Sequence, residues 1–99
     1  MKIVKKQTGS ELFVEVEGSI DTTTAPELFE ALKGALNGIT CLVYDFEKVD
    51  YISSAGLRVL LTSRKDIGDK GKVVVKHANQ NVMDIFTMTG FDNILEFED

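Results

Sequence analysis

Leu12, Val14 and Val16 recur at every second position through Leu12-Phe13-Val14-Glu15-Val16-Glu17-Gly18. That period of two predicts a half-buried β-strand. Ile3 to Gln7 predicts a shorter strand ahead of it, with Thr8-Gly9-Ser10 as the hairpin turn between them. The period then lengthens. In Thr24-Ala25-Pro26-Glu27, Thr24 is placed to cap a helix and Pro26 lies in the first turn, where its missing N–H costs nothing. Glu27 completes a capping box. Leu28, Leu32, Ala35 and Leu36 follow at helical spacing, and Asn37-Gly38 predicts the stop. Cys41-Leu42-Val43-Tyr44-Asp45-Phe46 is a nearly continuous apolar run, the pattern of a central strand covered on both faces.

A short acidic loop leads from that strand into Ser53-Ser54, where a second helix begins. Leu57, Leu60, Leu61 and Ile67 share one side of it, Arg58, Arg64 and Lys65 lie mostly elsewhere, and Gly68 and Gly71 bracket its exit. Lys72-Val73-Val74-Val75-Lys76-His77 predicts another core strand. Val82, Ile85, Phe86 and Thr89 define a third helix closed by Gly90, and Ile94 to Phe97 a last short strand. The order is β-β-α-β-α-β-α-β. Strands alternating with helices imply an α/β fold: a mixed, mostly parallel sheet with an N-terminal hairpin and helices packed on it. No linker or repeat interrupts residues 1–99, so one domain is expected.

Composition narrows the function. The net charge of −5 argues against binding a phosphate backbone, and no basic arm or Lys/Arg-rich helix stands ready for one. An acidic surface suits a protein partner instead. Cys41 is the single cysteine, which excludes an intrachain disulfide and reads as a buried, inert thiol. No secretory h-region follows Met1 and no apolar run approaches a membrane span, so a cytoplasmic location without membrane association is expected.

Enzyme chemistry finds little to stand on. His77 is the only histidine, so no conventional zinc site can be assembled around it, and a Ser-His-Asp triad is disfavoured because neither Ser53 nor Ser54 sits in a G-x-S-x-G elbow. No phosphate-binding glycine motif occurs, and no cofactor is implied. Asp21, Asp45, Glu47 and Asp50 lie near strand ends, an arrangement open to magnesium but better read as solvated loop acids. No catalytic constellation and no metal site is expected.

Ser53-Ser54 stands apart. Unpaired N–H groups and a positive dipole end gather at a helix N-terminus, so a phosphate placed there is electrostatically welcome. Capping alone explains one serine. It does not explain the second, nor the small Ala55-Gly56 that leaves the first turn open to a partner. Arg58 stands one turn beyond Ser54, where it can pair with a phosphate or remain a solvated charge.

These residues carry a resemblance that runs end to end. Val16-Glu17-Gly18-Ser19-Ile20-Asp21 leads to Thr24-Ala25 and Leu28; Asp45-Phe46 leads to Ile52-Ser53-Ser54-Ala55-Gly56-Leu57; Phe86-Thr87-Met88-Thr89-Gly90-Phe91 closes the chain. Together they resemble a stand-alone STAS domain of the bacterial anti-sigma factor antagonist family. The resemblance implies a binding protein, not an enzyme. In that family the antagonist binds an anti-sigma factor that is also a serine kinase, and so frees a sigma factor. The kinase phosphorylates a serine at the start of the second helix, and a phosphatase, here expected to be PP2C-like, resets the switch.

Aligned on Gly56-Leu57, the acceptor position falls on Ser54, while Ser53 stands where the family often has aspartate and offers a second hydroxyl. Asp21 matches the family's aspartate beside the phosphorylation site, with a plain turn former as the alternative. Thr22 and Thr23 extend the same partner-binding surface, together with Ser53, Ser54, Ala55, Gly56 and Arg58. A monomer is the default expectation. Two other readings stay open: a STAS scaffold or ligand-binding module in stress or envelope signalling without phosphorylation, and a small hydrolase using Ser54, disfavoured because no base can be named.

Overall fold

A computed structural model of the protein describes residues 1–98. The chain forms β1 (Lys2–Thr8), β2 (Glu11–Glu17), α1 (Ala25–Leu32), β3 (Cys41–Lys48), α2 (Ser54–Ile67), β4 (Lys72–Lys76), α3 (Gln80–Thr89), a 3-10 turn (Phe91–Asn93) and β5 (Glu96–Glu98). The sheet runs β1-β2-β3-β4-β5; its first pair is antiparallel and the rest are parallel. The element order read from the sequence is the one observed.

Alternation in the strands sets the core. Leu12, Val14 and Val16 join Leu42, Tyr44 and Phe46 and then Val73 and Val75 in one apolar cluster. Leu28 and Leu32 of α1, Leu57 and Leu60 of α2, and Val82 and Phe86 of α3 complete that same cluster. All three helices therefore pack on one face of the sheet. β3 is buried on both faces, as its apolar run predicts, but helices cover only one of them. Val43 and Val74 point the other way, outside the cluster, and are buried between their neighbours in register, Phe13 and Glu96. Side chains of adjacent strands do the shielding there, charged stems included.

Two further expectations change. α1 ends at Leu32 instead of running to Asn37-Gly38: Lys33 turns extended at ψ 120° and Gly34 takes φ 76°, a left-handed turn. Ala35 and Leu36 still pack on the core, from a turn. The last strand starts at Glu96, because Ile94 and Leu95 close the 3-10 turn by donating to Phe91 O, each at 3.1 Å. Cys41 is half-buried where a buried thiol was expected, and desolvation by that partial burial pushes its pKa up.

The sequence reading missed one buried polar pair. The Tyr44 hydroxyl donates to Ser63 Oγ at 2.8 Å, and the Ser63 hydroxyl in turn donates to Leu60 O at 2.7 Å. Burial pushes the Tyr44 phenol far up, so it stays neutral. Among the described residues no helix is long and apolar enough to cross a membrane.

Candidate functional site

The loops after β2 and β3 are tied together. A register shift between Glu15 and Glu17 bends the end of β2. Beyond it the Gly18 N–H donates to Lys48 O at 2.9 Å, Ile20 N–H to Tyr51 O at 2.9 Å, and Ser53 N–H to Ile20 O at 2.8 Å. Ile20 and Ile52 form an isolated parallel bridge, and both side chains are fully buried. The 19–24 loop is thereby fixed against the start of α2.

Within that loop the polar groups satisfy one another. Asp21 Oδ1 accepts the N–H of Thr23 at 2.9 Å and of Thr24 at 3.0 Å. Thr24 Oγ1 accepts the Asp21 N–H at 2.9 Å and donates to Ser19 O at 2.7 Å. The Thr24 backbone hydrogen bond, followed by that of Thr23, holds the Asp21 carboxyl below the usual carboxylate range. The capping box expected at Thr24 is absent. Thr24 sits at the helix entrance in α-helical geometry with no side-chain cap, because its hydroxyl is spent inside the loop.

The start of α2 is different. Ser53 is extended at φ −93° and ψ 176°, and its Oγ accepts the Gly56 N–H at 3.4 Å, a long N-cap. Ser54 follows as the first helical residue. It is exposed, and among the described residues its hydroxyl has no hydrogen-bond partner. Gly56 is buried where α2 meets the two bridged loops. A Cβ there would stand 2.6 Å from Ile20 Cγ2, 2.7 Å from Ile52 Cγ1 and 3.1 Å from Ile20 O. Only glycine permits this approach.

The structure therefore brings together the expected site residues: Asp21, Thr22 and Thr23 on one loop, Ser53, Ser54, Ala55, Gly56 and Arg58 across from it. Thr22, Thr23, Ser54 and Arg58 are exposed, Asp21, Ser53 and Ala55 half-buried. Thr22, Ala55 and Arg58 line one groove between α1 and α2.

The four acids considered for magnesium do not converge. Asp45 and Glu47 instead meet His77 towards the C-terminal ends of β3 and β4, their candidate ligand atoms within 4.8 Å of one another. His77 Nδ1 lies 3.1 Å from Asp45 Oδ1, and His77 holds φ 62°. The signal for this cluster was the parallel register, which sets Asp45 opposite Lys76.

With that geometry in place, comparison with known proteins is informative. The STAS domain family model matches residues 2–99. A Bordetella bronchiseptica protein that carries the name "Putative anti-sigma factor antagonist BtrV" is 30% identical over 96 residues, covering 95% of this chain and 83% of that protein. The anti-sigma factor antagonist SpoIIAA superposes in its unphosphorylated form with a TM-score of 0.85 at 14% identity, covering 99% of this chain and 89% of the other. The Bacillus SpoIIAA in its phosphorylated form gives a TM-score of 0.76 at 13% identity, with 99% and 92% covered.

Proposed function

The chain belongs to the STAS domain family, and from that premise we propose that it is an anti-sigma factor antagonist switched off by phosphorylation of Ser54. Binding to an anti-sigma factor with serine kinase activity releases a sigma factor, and a phosphatase restores the active form. The observation that carries this reading is the division of roles at the α2 entrance. Ser53 already caps the helix, which leaves the exposed Ser54 hydroxyl without a structural task. That one protein of the same fold, SpoIIAA, has a phosphorylated form adds support.

The chemistry asks nothing catalytic of this chain. The terminal phosphoryl group of ATP passes to Ser54 Oγ as the bond to ADP breaks, and a base of the kinase takes the hydroxyl proton. The product carries about −1.5 to −2 charges at neutral pH. At a helix N-terminus that charge is tolerated by the fold, so modification changes affinity and not conformation. Asp21 acts by holding the loop that faces the partner. Thr22 and Thr23 present that loop's exposed edge.

The test is incubation with ATP and a histidine-kinase-like anti-sigma factor from the same organism, followed by mass spectrometry. Phosphate on wild type and on Ser53→Ala but not on Ser54→Ala is expected. Phosphate that disappears only in Ser53→Ala moves the acceptor by one residue, and an unmodified wild type overturns the switch.

A further inference from the structure

Ser54 stands beside an apolar groove of 350 Å³ between α1 and α2. Buried Ala25 and Val59 line it, and Pro26, Phe29 and Ala55 extend its apolar lining. Phe29 is 43% exposed, a large aromatic ring left to solvent on the groove. Arg58 and Glu30 both line the same groove and are exposed, but they form no ion pair with each other, and Arg58 has no ion-pair partner among the described residues, although the chain carries a net charge of −5. An unpaired guanidinium beside an apolar recess defines its complement: an apolar side chain with a carboxylate next to it.

Ser54 and Arg58 are also i and i+4 on α2, so their Cβ atoms are about 5–6 Å apart. A phosphate on Ser54 can therefore reach the Arg58 guanidinium without any backbone movement. Resting on the reading of Ser54 as the acceptor, we infer that the groove receives an apolar side chain of the anti-sigma factor while Arg58 pairs with a neighbouring carboxylate of that partner, and that phosphorylation disables the surface by drawing Arg58 onto the phosphate. The partner then meets a blocked groove mouth with its own carboxylate unpaired, which costs more than the loss of one surface contact.

Two measurements test this. The first uses the chain with phosphoserine installed at position 54 during translation, with Arg58 intact or as Arg58→Gln, and needs no partner. Phosphorus NMR titration is expected to show a higher phosphate pKa in Arg58→Gln than in the intact chain, with high salt shrinking the difference. Equal values overturn the capture.

The second measures affinity of the unmodified chain for the kinase that modifies it. Phe29→Ala and Arg58→Gln are each expected to weaken binding about tenfold or more, about 1.4 kcal/mol. Both side chains are exposed, and circular dichroism checks that the variants keep the fold. Wild-type affinity in both overturns the groove. If no kinase binds wild type at all, the proposed function fails instead, while the phosphate titration still decides the capture.

Discussion

The entrances of α1 and α2 begin with the same chemistry, hydroxyl residues ahead of an amphipathic helix, and arrive at opposite states. At α1, Asp21, Thr24 and Ser19 consume one another's donors and acceptors, so the hydroxyl that could cap the helix is already bound. At α2, Ser53 takes the capping role through a long hydrogen bond and leaves Ser54 exposed beside it. The first entrance is a closed polar knot that fixes a loop. The second holds one hydroxyl in reserve. A functional group at a helix mouth is thus recognised by what its neighbours leave undone, more than by its own residue type.

The two entrances share a joint, and breaking it has the largest expected effect. Gly56 lies where Ile20 of the first loop and Ile52 of the second approach α2. In an unconstrained helix Gly→Ala stabilises by up to ~1 kcal/mol. Here the new methyl meets two buried isoleucines at 2.6 and 2.7 Å, and Gly56→Ala is expected to cost about 1–3 kcal/mol by overpacking. For a domain of this size each kcal/mol lowers Tm by about 4–8 °C. A melting temperature above wild type would show that the joint is loose and the two entrances independent.

Thr24→Val comes next. The substitution keeps the shape but removes an acceptor from the Asp21 N–H and a donor from Ser19 O. Leaving such half-buried groups unpaired is expected to cost about 1–3 kcal/mol in urea unfolding, towards the lower end because water reaches the loop. A loss no larger than that of Ser53→Ala would erase the contrast between the two entrances.

Asp21 sharpens the same knot through pH. Its folded pKa is lowered, so its contribution is fully present above the unfolded carboxylate pKa and lost as pH falls through the folded value. Asp21→Asn keeps an acceptor oxygen but abolishes the charge. Its Tm deficit relative to wild type should be greatest near neutrality and shrink below about pH 4. A deficit that grows in acid would reverse the sign of the argument.

Much of this was legible in the chain, and the exceptions share a cause. Leu12, Val14 and Val16 announced their strand because alternation is local, and the serine pair announced a cap for the same reason. The α1 terminus was misread because Ala35 and Leu36 do pack on the core, but from beyond a left-handed Gly34 that helical spacing cannot detect. Thr24 was misread because its competitor, Asp21, lies outside the capping pattern. The open sheet face, the Tyr44–Ser63 pair and the need for glycine at 56 all depend on contacts between distant segments. Residue types placed the candidate site at the entrance of α2; only the Ile20–Ile52 bridge explains why two loops meet there.

The smallest effects discriminate best. Ser53→Ala removes a cap whose hydrogen bond is long, 3.4 Å, so the expected loss is about 0.5–1 kcal/mol, the low end for N-caps. Ser54→Ala should change stability by less than about 0.5 kcal/mol, since an exposed first-turn hydroxyl without a partner contributes little and alanine is a good helix former. Side-by-side urea unfolding of the two variants reads this difference directly. If Ser54→Ala proved the costlier, the exposed hydroxyl would be doing the capping, and the reserve would belong to Ser53. The acceptor would then shift with it, because a kinase needs the hydroxyl that the fold does not. Stability near wild type in Ser54→Ala, joined to complete loss of phosphate, ties the free hydroxyl to the switch through its lack of any other work.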